Sequence, residues 1–140
     1  MQNVNLFEIA TAAFDKLEEI HSALMQHVSN LGDKELAGCS IAVENNELVA
    51  TCFGCRLIAT HRPVILNEKF SMIEYPFSIS ETDKLDRLIC TLYVHPNGGI
   101  YSDTTTANQI AGTGDSFLTQ KILPAIGLAL IRSNYFSPRN

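Results

Sequence analysis

The first part of the chain carries apolar residues at a helical spacing. Between residues 6 and 31 they recur every three or four positions, at Leu6, Ala10, Ala13, Leu17, Ile20, Leu24 and Leu31. This period predicts a long N-terminal helix with one apolar face. Asn5 is a suitable N-cap, and Gly32 ends the pattern. Because such a helix is longer than a small sheet can cover, we expect part of it to meet a second copy of the chain.

Between residues 39 and 102 the period changes to two, with β-branched and aromatic residues between turn signals. Asn45-Asn46 and the segment PNGG at residues 96–99 predict tight hairpin turns, and residues 80–84 predict a looser one. Pro63 confines its surroundings to a sheet edge or a bulge. Residues 48–58, apolar on both faces, predict one central strand. The whole region predicts a mainly antiparallel sheet of about five to six strands.

The C-terminal part predicts a loop followed by a helix. Residues 103–116 are rich in Thr, Gly and Asn, and the helix is expected to begin at Asp115 or Ser116 and to end near Ser133. Pro124 should kink this helix, and the half beyond Pro124 is apolar on every side, which predicts burial or an interface. Residues 134–140 predict a frayed tail. The order of elements predicts one α+β domain over residues 1–140, with both helices packed on the sheet.

Composition and charge narrow the possible functions. The chain has 140 residues, of which 46% are hydrophobic, and this is enough for one core. Its net charge is -5, and the Lys and Arg residues are scattered, so nucleic-acid binding is not expected. The longest apolar run, residues 122–131, is well short of the roughly 20 residues that cross a membrane. Residues 1–8 lack the basic start of a signal peptide, so we expect a soluble, cytoplasmic protein with four reduced cysteines.

The segment CFGC at residues 52–55 raises the possibility of a metal site. Together with Cys90 and His95 it could supply four zinc ligands. If residues 48–58 form one strand, however, Cys52 and Cys55 point to opposite faces of the sheet. We therefore predict no metal and no cofactor, and a bulge at Gly54 is the feature that would reverse this prediction.

The segment AGTGDSF at residues 111–117 resembles the glycine-rich signature of ribokinase-like sugar and vitamin kinases. The resemblance implies that Asp115 is a catalytic base and that Gly112 and Gly114 form an anion hole. It is confined to this segment, and the chain has roughly half the length of such kinases. The favoured interpretation is a glycine-rich loop capped by Asp115, whose helix N-terminus could still bind a phosphate or a carboxylate.

The histidines are candidates for acid–base or ligand chemistry, because their pKa lies near neutrality. His21 and His27 fall in the predicted first helix, where His27 lies near the apolar stripe and is expected to be a packed or interface residue. His61, beside Arg62, and His95 are the better candidates. Glu44 and Glu47, the carboxylates on either side of the Asn45-Asn46 turn, are interpreted as solvated residues. A small anionic ligand is predicted to bind, if one binds, at the following residues: Arg56, Arg87, Tyr93, His95, Gly112, Gly114 and Asp115.

No convergent catalytic set is evident in the sequence, so the favoured function is that of a non-enzymatic binding or adaptor-type protein that acts as a homodimer through a protein partner. The order helix, sheet, helix resembles that of secretion chaperones and of several adaptor and immunity proteins, which is an analogy of fold alone. An anionic-ligand sensor and an enzyme of unknown reaction are the alternatives. The predicted interface residues are Leu17, Ile20, Leu24, Ile126 and Leu130.

Overall fold

The computed structural model describes residues 2–32, 35–80 and 86–136. Two helices, α1 (Gln2–Leu31) and α2 (Leu118–Arg132), flank the strands in the sequence. The strands are β1 (Glu35–Leu36), β2 (Cys39–Glu44), β3 (Glu47–Cys52), β4 (Cys55–Ala59), β5 (Arg62–Leu66), β6 (Lys69–Ile79), β7 (Arg87–Val94), β8 (Gly99–Tyr101) and β9 (Gln109–Gly112). The prediction of an α+β fold with a helix at each end is confirmed.

The described strands form one antiparallel sheet in the order β1-β2-β3-β4-β6-β7-β8-β9, and β5 pairs with β6 alone. The expected number of strands, five to six, was too low, because the sheet has nine. Strands as short as β1 and β9 contain too few residues to show a period of two, and residues 48–58 form two strands instead of one. The Pro63 prediction is consistent with β5, which branches from the main order of strands.

Both helices cover the same face of the sheet. Leu24 and Val28 of α1 meet Ile122 of α2 above Tyr75 and Leu92, which point from β6 and β7 toward the helices. We call this side the helix face and the other side the open face. On the helix face, alternate residues of the central strands are almost completely buried, as the period of two requires.

The helix boundaries differ slightly from those predicted. Because α1 already begins at Gln2, Asn5 lies inside it and is not its N-cap. The end at Gly32 is as predicted, and this glycine has a φ of 75°, a left-handed conformation that suits the end of a helix. None of the described helices is both long enough and apolar enough to traverse a lipid bilayer.

Four of the five predicted interface residues belong to the core of the chain itself. Leu17 and Leu24 are 2% exposed, and Ile126 and Leu130 are completely buried. Ile20 is half-buried and packs against the same core. The apolar stripe of α1 therefore packs on the sheet from Leu17 onward, and these side chains are not free to contact a second copy.

Residues 48–58 are not one strand, which corrects the prediction. Phe53 and Gly54 have φ values of 52° and 81° and form a two-residue hairpin turn, so Cys52 at the end of β3 pairs with Cys55 at the start of β4. Directly paired residues share a face, and Cys39 of β2 pairs with Cys52 in turn. Three thiols therefore form a row on the helix face, and all four cysteines are free. Burial raises the pKa of Cys52 far above its usual range and that of Cys90 to about 11, so both remain unreactive thiols.

A substitution at this turn tests its geometry. Gly54→Ala is expected to lower the free energy of unfolding by about 1–2 kcal/mol, because a left-handed φ strains any residue with a Cβ. No neighbouring atom lies within 4 Å of a Cβ added there, so the loss reflects the backbone alone. Gly114→Ala is the control, since its surroundings are equally open but its φ is not left-handed. Equal stabilities of the two variants in urea unfolding would contradict the assigned turn.

The remaining predicted turns are borne out where they are described. Asn45 and Asn46 have positive φ and close the β2–β3 hairpin, and Gly98 has a φ of 92° between β7 and β8. The looser turn predicted at residues 80–84 falls almost entirely outside the described residues. The loop before α2 contains the short strand β9. Of the predicted tail, Tyr135 packs against the core, and residues 137–140 lie outside the described part.

Candidate functional site

A histidine lies in the middle of the buried stripe of α1. His21 falls between Leu17 and Leu24 at helical spacing, so the helix that buries these leucines also buries the imidazole, which is completely inaccessible to solvent. Its Nδ1 lies 2.8 Å from the hydroxyl oxygen of Tyr75 on β6, and its Nε2 lies 2.8 Å from the backbone oxygen of Asn46 in the β2–β3 turn. The burial cost of this polar ring is therefore offset by hydrogen bonds at both nitrogens.

These partners assign the protonation state of His21. A backbone oxygen can only accept, so Nε2 carries the proton and donates to Asn46. A tyrosine hydroxyl can donate or accept, but burial disfavours a second proton on the ring, so Nδ1 is unprotonated and accepts from the Tyr75 hydroxyl. Burial lowers the pKa of His21 below its usual value, an effect that the Asn46 bond partly opposes, and burial raises the pKa of Tyr75. In this arrangement His21 is a neutral imidazole.

A second histidine approaches from the connection between β4 and β5. His61 Nδ1 lies 2.8 Å from Glu47 Oε1, and the backbone N–H of His61 donates to the other oxygen of the same carboxylate at 2.9 Å. His61 Nε2 lies 3.2 Å from Glu18 Oε1 on α1. Because carboxylate oxygens only accept, His61 satisfies both carboxylates when both of its nitrogens carry protons. Its side chain is 15% exposed, compared with 41% for Glu18.

The two imidazoles are stacked. Their ring centroids are 3.4 Å apart and their planes differ by 7°. Tyr75 extends the stack at a centroid distance of 5.8 Å from His21. We call His21, His61, Glu18, Glu47 and Tyr75 the histidine cluster. It joins α1 to β3, to β6 and to the β4–β5 connection, and it lies in the region that α1 and the sheet enclose.

Three members of the cluster have the composition of a metal site. Ligand atoms of His21, Glu47 and His61 lie within 4.8 Å of one another. A metal ion, however, lies in the plane of each imidazole that binds it, about 2 Å from the nitrogen. Two parallel rings 3.4 Å apart cannot both direct a lone pair at one ion. Both nitrogens of His21 are also engaged by Asn46 and Tyr75. The cluster as it stands is therefore suited to holding protons and not to holding a metal.

The structure does not bring the predicted ligand-binding residues together. A bulge opposite Phe77 and Ser78 shifts the register of β7, so Arg87 pairs with Ile79 and shares the helix face. There its guanidinium donates to the backbone oxygen of Ser133 and lies over the ring of Tyr135. Tyr93, which lies beyond the bulge, points to the open face beside Glu74. The sequence pattern had assigned both residues to one face.

The other predicted ligand residues are separate as well. Arg56 is exposed on the open face and donates to Glu44 at 2.7 Å. His95 lies in the β7–β8 turn, where its Nδ1 accepts from the backbone of Asn97. These contacts are ordinary ones for surface side chains, and a surface ion pair contributes little stability. Binding of an anionic ligand at this set of residues remains a prediction.

Backbone amides of the glycine-rich loop form hydrogen bonds within the chain. The N–H of Thr113 donates to Gly98, and that of Asp115 donates to Gly112, which lies at the end of β9. The Asp115 carboxylate accepts from the N–H of Phe117 and from Lys121, whose ammonium is the main cause of a lowered pKa at Asp115. The predicted helix start at Asp115 or Ser116 and the predicted cap at Asp115 are nevertheless wrong, because α2 begins at Leu118 after the N-cap residue Phe117, which makes no side-chain cap bond. The Asp115 carboxylate stabilises the turn that precedes the helix. The amides of Thr113 and Asp115 that could face an anion are already bonded within the chain.

The histidine cluster was not predicted as a unit, although its histidines and Glu47 were considered separately. Its members are separated by 54 residues between His21 and Tyr75, and by 14 between His61 and Glu47. One sequence signal was available, since a histidine at a buried position of an apolar stripe requires polar partners. The identity of those partners depends on which strands lie beneath α1.

Compared with known proteins, the chain matches no family model, no curated protein and no solved structure.

Proposed function

We propose that this chain is a homodimeric binding protein of the adaptor type, and that a second copy covers the N-terminal half of α1. One observation carries the proposal: the apolar stripe of α1 continues beyond the sheet that buries its other half. Leu17 is 2% exposed, whereas Leu6, Phe7 and Ile9 are 60%, 72% and 64% exposed. Such a contiguous exposed apolar surface is typical of a protein interface.

The uncovered half of α1 gains little from its own chain. Between Asn3 and Lys16, only Ala10 and Ala13 are half-buried, and the other side chains are exposed. Phe14, which is 38% exposed, packs against the ring of Phe70 on β6 at a centroid distance of 5.7 Å. An isolated helix shorter than about 12–15 residues is marginal in water, so contacts with a partner would stabilise this segment. The rigid second half of α1, which packs on the sheet, holds the segment in place for such contacts.

The sequence of this segment favours a second copy as the partner. Small residues lie at its centre, from Ala10 to Ala13, and larger apolar residues flank them at Phe7 and Phe14. Ala10 and Ala13 lie on the same helix face as the phenylalanines, so two such helices crossing antiparallel at these alanines can approach closely and pack their phenylalanines beside each other. An interface of this kind is self-complementary, as a twofold dimer requires.

A second apolar surface supports the adaptor part of the proposal. A groove of about 280 Å³ lies between β1, the β3–β4 turn and α2. Phe53, Leu128 and Ile131 line it and are 43%, 44% and 56% exposed. Because this groove is lined by different elements from the proposed dimer surface, it would remain available to a different protein in the dimer.

Substitution of Phe7 tests the dimer. Phe7→Glu is expected to weaken self-association by at least about tenfold, because a charge in an apolar interface loses hydration without gaining a partner. Sedimentation velocity over a range of concentrations measures this change. Since Phe7 is exposed in the single chain, the variant should keep the far-ultraviolet circular dichroism of the wild type.

Leu88→Glu provides the matched control. Leu88 is also exposed, at 57%, but it lies on β7, away from the N-terminal half of α1. Its substitution should leave the sedimentation coefficient unchanged. A wild-type protein that is monomeric at every concentration would overturn the proposal, and so would a dimer disrupted by Leu88→Glu but not by Phe7→Glu.

A further inference from the structure

The hydrogen-bond partners in the histidine cluster fit one neutral imidazole and one positively charged imidazole. His21 has an acceptor at Nε2 and a donor at Nδ1, which fits the neutral ring. His61 has carboxylates at both nitrogens, which fits the charged ring. A neutral imidazole stacked on an imidazolium is an attractive arrangement, because the π-electrons of one ring face the positive charge of the other.

A second additional proton would be poorly accommodated. If His21 also became charged, two positive rings would lie 3.4 Å apart in a region where His21 is screened from water. Repulsion between like charges is strongest at such a short distance and low effective dielectric. Glu47 and Glu18, which are the carboxylates facing the pair, already bond to His61. Tyr75 is the remaining titratable neighbour, and its hydroxyl is neutral at physiological pH.

We propose that the His21–His61 pair stabilises the packing of α1 on the sheet while it carries one proton, and that it releases α1 when a second proton binds. We call this pair the one-proton latch. The fastened state links α1 to three parts of the sheet: His21 reaches Asn46 and Tyr75, and Glu18 reaches His61. Protonation of His21 makes both rings positive, so the two rings repel each other. This repulsion strains the hydrogen bonds of His21 to Asn46 and Tyr75 and the contact of His61 with Glu18. The latch lies in the second half of α1 and does not depend on the proposed dimer.

The direction of the pH effect follows from His21. Burial lowers its pKa, so the folded chain binds fewer protons at this residue than the unfolded chain, whose histidines titrate near pH 6.5. Stability from this group is therefore fully present above about pH 6.5 and is lost as the pH falls through the lower folded value. Release of α1 is expected on mild acidification and not on a rise in pH.

Amide hydrogen exchange of the full chain measures the opening of α1 directly. After correction for intrinsic exchange rates, opening at residues 17–24 is expected to increase between pH 7 and pH 5, by about tenfold for each unit of pKa difference between the folded and the open state. His21→Gln should remove most of this pH dependence. Its amide can still donate to Asn46, but it cannot take up a proton. A folded His21→Gln variant with the pH dependence of the wild type would overturn the proposal.

A second pair of variants keeps the proposal testable if His21→Gln does not fold. Glu18→Gln should increase the opening of α1 at pH 7 by about twofold to fivefold, in the range of a partly exposed ion pair. Glu19→Gln is the control, because Glu19 is 74% exposed and lies near Lys16 instead of the cluster. Equal opening of these two variants would overturn the latch. Nuclear magnetic resonance titration of the wild-type imidazoles must also show the two rings titrating interdependently, and independent titration would overturn the one-proton state.

Discussion

Leu17→Asp is expected to unfold the protein or leave it only marginally stable. Leu17 is 2% exposed where α1 packs on the sheet, so the new carboxylate would be buried without a partner. A buried uncompensated charge costs about 3–5 kcal/mol, and the lost apolar contacts add to this. Small domains have total stabilities of about 5–15 kcal/mol, so most of the stability would be lost. Urea unfolding followed by circular dichroism measures the change.

Ala12→Asp is the matched control for this experiment. It introduces the same side chain into the same helix, five positions earlier, at an exposed residue. Its effect on folding should stay within about 1 kcal/mol, close to the difference in helix propensity. If Leu17→Asp remained as stable as Ala12→Asp, the burial of the α1 stripe on the sheet would be wrong.

His21→Leu is expected to cost about 1–3 kcal/mol, although leucine is apolar and similar in size. The substitution leaves the buried Tyr75 hydroxyl without its partner, whereas the backbone oxygen of the exposed Asn46 can bond to water instead. Tyr75→Phe alone should cost about 1–3 kcal/mol, since it leaves His21 Nδ1 unsatisfied. The free energies of unfolding can be compared by urea denaturation at pH 7.5, where His21 is neutral.

The double variant separates a hydrogen-bonded pair from two independent packing residues. His21→Leu with Tyr75→Phe removes the donor that the first substitution leaves without a partner, so its cost should be about 1–2 kcal/mol less than the sum of the single costs. Tyr93→Phe combined with His21→Leu is the control, because Tyr93 points to the open face and its contribution should be additive. Strict additivity for both pairs would mean that the bond between His21 and Tyr75 contributes no stability.

Local signals in the sequence were sufficient for several elements. The α1 stripe, its end at Gly32 and the Asn45-Asn46 turn follow from helical spacing and from residues that tolerate positive φ. The turn at Phe53-Gly54 was missed, because phenylalanine is an unusual residue at a positive φ and the flanking residues alternate as in one strand. The side of the sheet on which Arg87 lies was predicted wrongly, because a bulge in β7 interrupts the alternation of side chains between the two faces. No residue type in the sequence indicates this bulge.

The histidine cluster depended on contacts between distant segments. The sequence alone places His21 in α1 and Glu47 after a turn, but it does not indicate that the β4–β5 connection stacks His61 on the ring of His21. Periodicity and neighbouring residues were thus enough to predict the fold class and most helix and turn positions. Which half of α1 is covered, and which polar groups meet beneath it, depend on strand register and helix packing, because these join residues far apart in the chain.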